Sequence, residues 1–84
     1  MPAFRVEVRV MPRGALLDPQ GQAVTHALQA LGFGEIAGAR VGKHLVLTVD
    51  APNSDAAETR AKAMCERLLA NPVTEDYQVA VEPA

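Results

Sequence analysis

Phe4, Val6, Val8 and Val10 alternate with Arg5, Glu7 and Arg9. A period of two puts every apolar side chain on one face of an extended strand and every charged one on the other. Such a strand needs cover on one side only, which calls for an antiparallel sheet with a layer of helix over one face. The rest of the chain reads as the pieces of that arrangement. Met11 to Leu17 reads as a loop punctuated by Pro12 and Gly14. From Pro19 to Leu31 the period changes to that of a helix, with Val24, Ala27, Leu28 and Leu31 on one stripe. Gln22, Thr25, His26 and Gln29 form the polar side, and Gly32 suits a left-handed stop.

The start of this helix is written into Leu17-Asp18-Pro19-Gln20-Gly21. Asp18 is an N-cap whose carboxylate accepts from an orphan amide, and Pro19 suits the first helical position, where its missing N–H costs nothing. Propensity does not explain Gln20 or Gly21, since glycine inside a helix costs about 1 kcal/mol relative to alanine.

Beyond Gly32, Ile36 to Val41 reads as a weak strand softened by Gly38, and Leu45, Leu47 and Val49 mark a stronger one. Gly42-Lys43 between them fits a two-residue hairpin turn. Pro52-Asn53-Ser54-Asp55 offers several N-caps for a second helix, among which propensity does not choose. The spacing of Ala57, Ala61, Met64 and Leu68 predicts its buried stripe, with Glu58 and Lys62 paired outside at i, i+4. Asn71 reads as a left-handed C-cap and Pro72 as a stop. Tyr77, Val79 and Val81 predict the last strand.

The order strand, helix, strand, strand, helix, strand predicts an α+β, ferredoxin-like βαββαβ fold over residues 1–84 as one domain. Right-handed crossovers would place two helices on one face of a four-stranded antiparallel sheet. This fold hosts many activities, so function rests on the side chains.

Most of those activities lack their residues here. A net charge of −2 gives no pull towards nucleic acid, and three aromatics offer no stacking platform for bases. A lone cysteine, Cys65, supplies neither a disulfide nor a thiolate metal pair. No apolar run approaches the roughly 20 residues of a membrane span, and the N-terminus has no secretory pattern, so the expected location is cytoplasmic. Arg13 and Gly14 are too little of a phosphate cradle beside Pro12, which lacks an amide. His26 and His44 have no nucleophile or carboxylate at a spacing that forms a triad, and read as surface residues. Cys65 reads as a small buried hydrophobe. Arg5 and Arg9 fall on the sheet face away from the helices, either solvated or a docking surface, the second being favoured for so small a chain.

Three blocks then carry a resemblance: Leu17-Asp18-Pro19-Gln20-Gly21 with Ala23-Val24, Arg40-Val41-Gly42-Lys43 leading to Leu47-Thr48, and Met64 to Asn71 closed by Val73 and Glu75-Asp76-Tyr77. Their order and separations resemble the PurS subunit family of phosphoribosylformylglycinamidine (FGAM) synthase, from about Phe4 to Glu82. The resemblance implies a non-catalytic accessory subunit in de novo purine biosynthesis, forming a homodimer or higher assembly. Its partners would be the large ATP-dependent synthetase subunit PurL and the glutaminase subunit PurQ. No cofactor would be bound by this subunit itself, ATP and glutamine being used by the complex. Asp18, Pro19, Gln20, Gly21, Arg40, Gly42, Lys43 and Asn71 are the family-like residues expected to serve assembly. Arg13 stands where a lysine is common in the family, and Pro12 and Pro72 also depart from its pattern. The competing reading is a small-molecule-sensing regulatory domain of the same topology.

Overall fold

The structure is a computed structural model that describes residues 1–14 and 18–84. Leu17 of the helix-start motif, with Ala15 and Leu16 of the predicted loop before it, lies outside the described residues. The elements are β1 (Ala3–Pro12), α1 (Pro19–Ala30), β2 (Lys43–Asp50), α2 (Ser54–Met64) and β3 (Glu75–Pro83). A π-helical turn, Cys65–Leu69, continues α2.

The three strands form one antiparallel sheet in the order β2-β1-β3. Being central, β1 has neighbours on both sides, and its apolar residues meet apolar residues on each. Val6 lies between Leu47 and Val81, and Val8 between Leu45 and Val79. Such cross-strand rows are the unit of sheet stabilisation. Val6, Val8 and Val10 are completely buried, and Phe4 and Val49 nearly so. From the other side, α2 covers β3 and β1 with a stripe of small residues, Ala57, Ala61 and Cys65. Asn53 is its N-cap, the side-chain oxygen accepting from the Ala56 amide at 2.8 Å.

Three sequence expectations about these elements are corrected. Met64 and Leu68 do not belong to the buried stripe; both are exposed, Leu68 at 82%. Spacings of i, i+4, i+8 keep Cys65 inside, and the following turn is widened, the Ala70 amide bonding to the Cys65 carbonyl at 3.0 Å. Asn71 is not left-handed, since among the described residues only Gly32 has positive φ, at 101°. Asn71 instead closes a local turn, its side-chain oxygen accepting from the Val73 amide at 3.0 Å.

The largest correction concerns the sheet, which has three strands and not four. Ile36 to Val41 forms no strand, and no hairpin turn occurs at Gly42-Lys43. The predicted turn requires a positive φ at Gly42, and Gly42 does not have it. The chain passes straight through Gly42 and runs on beside the end of β1. There Gly42 lies so close that an added Cβ would collide with the Val10 carbonyl oxygen and the Met11 sulfur. Pairing with Asp76 and Glu75 of β3 carries β1 on through Met11 and Pro12, residues expected to open the loop.

Helix α1 begins and ends as its sequence specifies. Asp18 caps it, one carboxylate oxygen accepting from the Gly21 amide at 3.0 Å. Gly32 ends it in a Schellman motif, with Phe33 N–H bonded to Leu28 O and Gly32 N–H to Gln29 O. Its position is where the expectation fails. The helix has almost no contact with the sheet or with α2, so the two helices do not share one face. The second Asp18 oxygen accepts from the Val41 amide at 3.0 Å, tying the helix start to the straight segment that leads into β2. Gly21 lies directly under the Ala39 carbonyl, where a Cβ would collide. These contacts hold α1 as an arm beyond the end of the β1–β2 ribbon, and the molecule measures 51 × 26 × 14 Å.

Gly42→Val should lower unfolding stability by about 1–3 kcal/mol through overpacking, while Gly38→Ala, with open space around it, should change it by less than about 0.5 kcal/mol. Urea denaturation measures both. The Asp18 carboxyl is held below its ordinary value of 3.8, chiefly by the Gly21 amide, then by the Val41 amide and the Arg40 charge. A lowered folded-state pKa gives stability that is present above 3.8 and lost as pH falls through the lowered value. Thermal melts from pH 6 downwards should therefore show the wild type losing its advantage over Asp18→Asn in that acid range, and no convergence would refute the assignment.

Candidate functional site

Seven of the eight family-like residues converge at the root of the arm. Asp18, Pro19, Gln20 and Gly21 form the first turn of α1, and Arg40, Gly42 and Lys43 lie on the straight segment and the start of β2. Asp18 and Gly21 contact that segment directly through Val41 and Ala39. The Arg40 guanidinium donates to the Pro12 carbonyl at the end of β1. The close approach that Gly21 allows is made by this chain's own backbone. Pro19, Gln20, Arg40, Gly42 and Lys43 are exposed and Asp18 is half-buried, so the cluster both sets the arm's angle and faces outward.

Asn71 is not part of this cluster. It sits beyond the π-helical turn, where its amide donates to Glu75 Oε1 at 2.7 Å. Arg13 joins that loop to β1, its Nε bonding Asp76 Oδ1 at 3.1 Å and its terminal nitrogen bonding the Pro72 carbonyl at 2.7 Å. Two departures from the family pattern thus meet in one contact. Arginine reaches two acceptors with a fixed fork, where lysine offers a point charge.

The faces leading away from the cluster are apolar and uncovered. On the arm, Leu31 is 74% exposed and Phe33 50%, and Val24 is exposed as well. Periodicity predicts that stripe, but not that it would face solvent. A second group, Met64, Leu68 and Val73, surrounds the π-helical turn. Among the described residues, no leucine is in the buried core.

Polar clusters elsewhere are closed on themselves. On the open sheet face Arg5 donates to Glu82 at 2.8 Å and also to Glu7, which holds the Glu7 carboxyl below its usual range. His44 lies 3.9 Å from Glu7. A cleft of about 170 Å³ contains Arg13, Glu66, Asp76 and Tyr77. Its side chains bond one another, Tyr77 O–H donating to Glu66 at 3.1 Å, and burial first, then Glu66, raises the Tyr77 pKa. Burial likewise raises the Cys65 thiol, which disfavours the reactive thiolate. Among the described residues no group of three His, Cys, Asp or Glu could hold a metal ion, and no helix is long and apolar enough to cross a membrane. Among the described residues the arrangement offers surfaces for assembly and no constellation for covalent or acid–base chemistry.

Solved structures superpose on this fold over nearly its whole length. Residues 5–83 match the family described as PurS: Phosphoribosylformylglycinamidine (FGAM) synthase. The PurS subunit of this synthase from Bacillus subtilis (strain 168) is 43% identical over 79 residues, which is 94% of this chain and 93% of that protein. The structure of Thermus thermophilus PurS superposes with a TM-score of 0.85 at 39% identity, covering 99% of each chain. A chain in the structure of PurLQS from Thermotoga maritima gives a TM-score of 0.88 at 34% identity, covering 98% of this chain and 100% of that one. By sequence and by shape, this chain belongs to the PurS family of FGAM synthase subunits.

Proposed function

We propose that this chain works as a homodimer that joins PurL and PurQ, using the face of the arm for self-association. Its role is that of a non-catalytic accessory subunit of FGAM synthase, which supports assembly and is active only within the complex. The observation that carries the dimer is exposed surface. The chain exposes 5751 Å², whereas a compact protein of 8.9 kDa exposes about 4,800 Å². The excess, on the order of 900 Å², is close to what one partner contributes to a standard interface. The radius of gyration agrees, 16.4 Å against about 12 Å for a compact chain of this length.

The need for such a subunit is physical. Ammonia released from glutamine must reach an ATP-activated intermediate before water protonates it or dilutes it, which requires a closed, shared assembly. A subunit rich in interfaces and poor in reactive groups serves that purpose, with ATP and glutamine handled by PurL and PurQ and no cofactor held here. The likeness to a chain of PurLQS supports both partners. We assign the complex to the cytoplasm, and we assign the outward residues at the arm's root, Pro19, Gln20, Arg40 and Lys43, together with Asn71, to contacts within it.

Two measurements test this reading. Adding the chain to its PurL and PurQ should restore glutamine-dependent amidine formation, and equal rates with and without it would overturn the function. Light scattering should give twice the chain mass at micromolar concentration. Leu31→Lys leaves the fold intact, because Leu31 is 74% exposed and a cation suits a helix C-terminus. That variant should weaken self-association more than tenfold, or about 1.4 kcal/mol, with its far-UV spectrum unchanged.

A further inference from the structure

Helix α2 and the π-helical turn present a groove on the side away from the core. Arg60, Ala63, Met64, Arg67 and Leu68 line it, and its volume is about 230 Å³. The turn creates it. The Ala70 amide bonds the Cys65 carbonyl five residues back, so Leu69 and Ala70 reach the core while Leu68 stays outside beside Met64. Such turns are uncommon and frequently lie at functional sites.

The charge of this groove is one-sided. Arg60 and Arg67 stand about 10 Å apart along the axis, two helical turns, and no carboxylate lines the space between them. Among the described residues neither arginine is in an ion pair. The acids nearest in sequence are engaged elsewhere, Glu58 with Lys62 at 3.6 Å and Glu66 with the Tyr77 hydroxyl at 3.1 Å. A cationic patch thus sits on a chain whose net charge is −2. Arginine and methionine are enriched in protein interfaces, where the arginine stem packs on apolar surface and its head pairs with a carboxylate.

These features select the occupant. A second copy is disfavoured, because a two-fold contact centred on the groove would set Arg60 and Arg67 against the same cations of the other chain. A helix with carboxylates seven residues apart carries them on one face at about the spacing of the two arginines. Ala63, with its short side chain, leaves the gap into which a ridge of that helix packs. We infer that the groove docks an acidic amphipathic helix of another subunit of the complex, its apolar side seated on Met64 and Leu68 and its carboxylates paired with Arg60 and Arg67. This rests on the accessory-subunit reading above and supplies one of that subunit's contacts with an enzymatic partner.

Leu68→Cys gives the first test, because position 68 is exposed and the native Cys65 is buried. With an apolar photocrosslinker on that thiol, the chain mixed with PurL and PurQ should cross-link to a helical segment of one of them that carries at least two carboxylates. A cross-link to a second copy of this chain, to a basic segment, or to neither subunit would overturn the groove and leave the accessory role standing. Arg60→Glu combined with Arg67→Glu gives the second. Both positions are exposed, so the far-UV spectrum and the mass in light scattering should match the wild type, while affinity for the cross-linked subunit falls more than tenfold. Added salt should weaken binding of the wild type and strengthen that of the double variant, since screening removes attraction in one and repulsion in the other. Equal affinities, or a changed mass, would overturn the pairing of the arginines with a partner's carboxylates. A wild type that binds neither PurL nor PurQ would instead overturn the reading on which the groove rests.

Discussion

Between Val41 and Lys43 the backbone runs straight beside the end of β1, with Gly42 pressed against the Val10 carbonyl and a negative φ that rules out the primed hairpin turn. That path decides the architecture. A turn at Gly42 would fold residues 36–41 onto the outer edge of β2 and bring α1 over the sheet, giving a closed four-stranded monomer. The straight passage lengthens the β1–β2 ribbon and carries α1 away from the core. Asp18 holds this alternative in place by bonding the amides of Gly21 and Val41 with its two oxygens. One carboxylate thereby couples a helix cap to the course of a distant segment.

The energetic consequence appears in which residues are buried. Among the described residues the largest fully buried side chains are Val6, Val8, Val10 and Cys65, and the helix that covers them contributes mainly Ala57 and Ala61. Burying a whole valine or leucine side chain gives about 1.5–3 kcal/mol, and alanine much less. The chain therefore gains little from its interior while its larger apolar groups, Leu31, Phe33, Leu68 and Val73, remain in water. At 84 residues there is little room for compensation elsewhere. Association is the remaining way to bury them, which is the energetic ground for the proposed dimer.

Local chemistry was legible in the sequence, and the global path was not. The alternation from Phe4 to Val10, the cap at Asp18 and the stop at Gly32 are properties of a few consecutive residues, and all three appear as read. The route through Gly42 depends on a contact with Val10, 32 positions away, that no window of neighbouring residues contains. The Met64 and Leu68 error has a similar cause. A π-helical turn changes the period after Cys65, and the hydrophobic pattern fits either phase until that turn is seen. For the candidate site, the sequence supplied the residues but not their grouping. Seven gather at the arm's root because Asp18 and Gly21 meet Val41 and Ala39, while Asn71 belongs to a separate loop held by Glu75 and Arg13. The exposed arm itself was hidden, since an amphipathic stripe shows that a helix buries one face but not against which molecule.

Exposed apolar surface on a subunit has two opposite meanings: a risk of aggregation, or an interface waiting for its partner. The polar groups around it separate them here. The open sheet face carries Arg5 between Glu7 and Glu82, and mixed charge of this kind discourages nonspecific stacking. Most of the exposed large apolar groups lie on the arm and at the π-helical turn, while on the charged face Val46 stands opposite Glu7. The arm is the surface assigned to the proposed dimer. The turn, with Leu68 82% exposed, is a separate apolar surface. In the proposed dimer, self-association at the arm leaves the turn open, as a subunit that joins two different proteins requires.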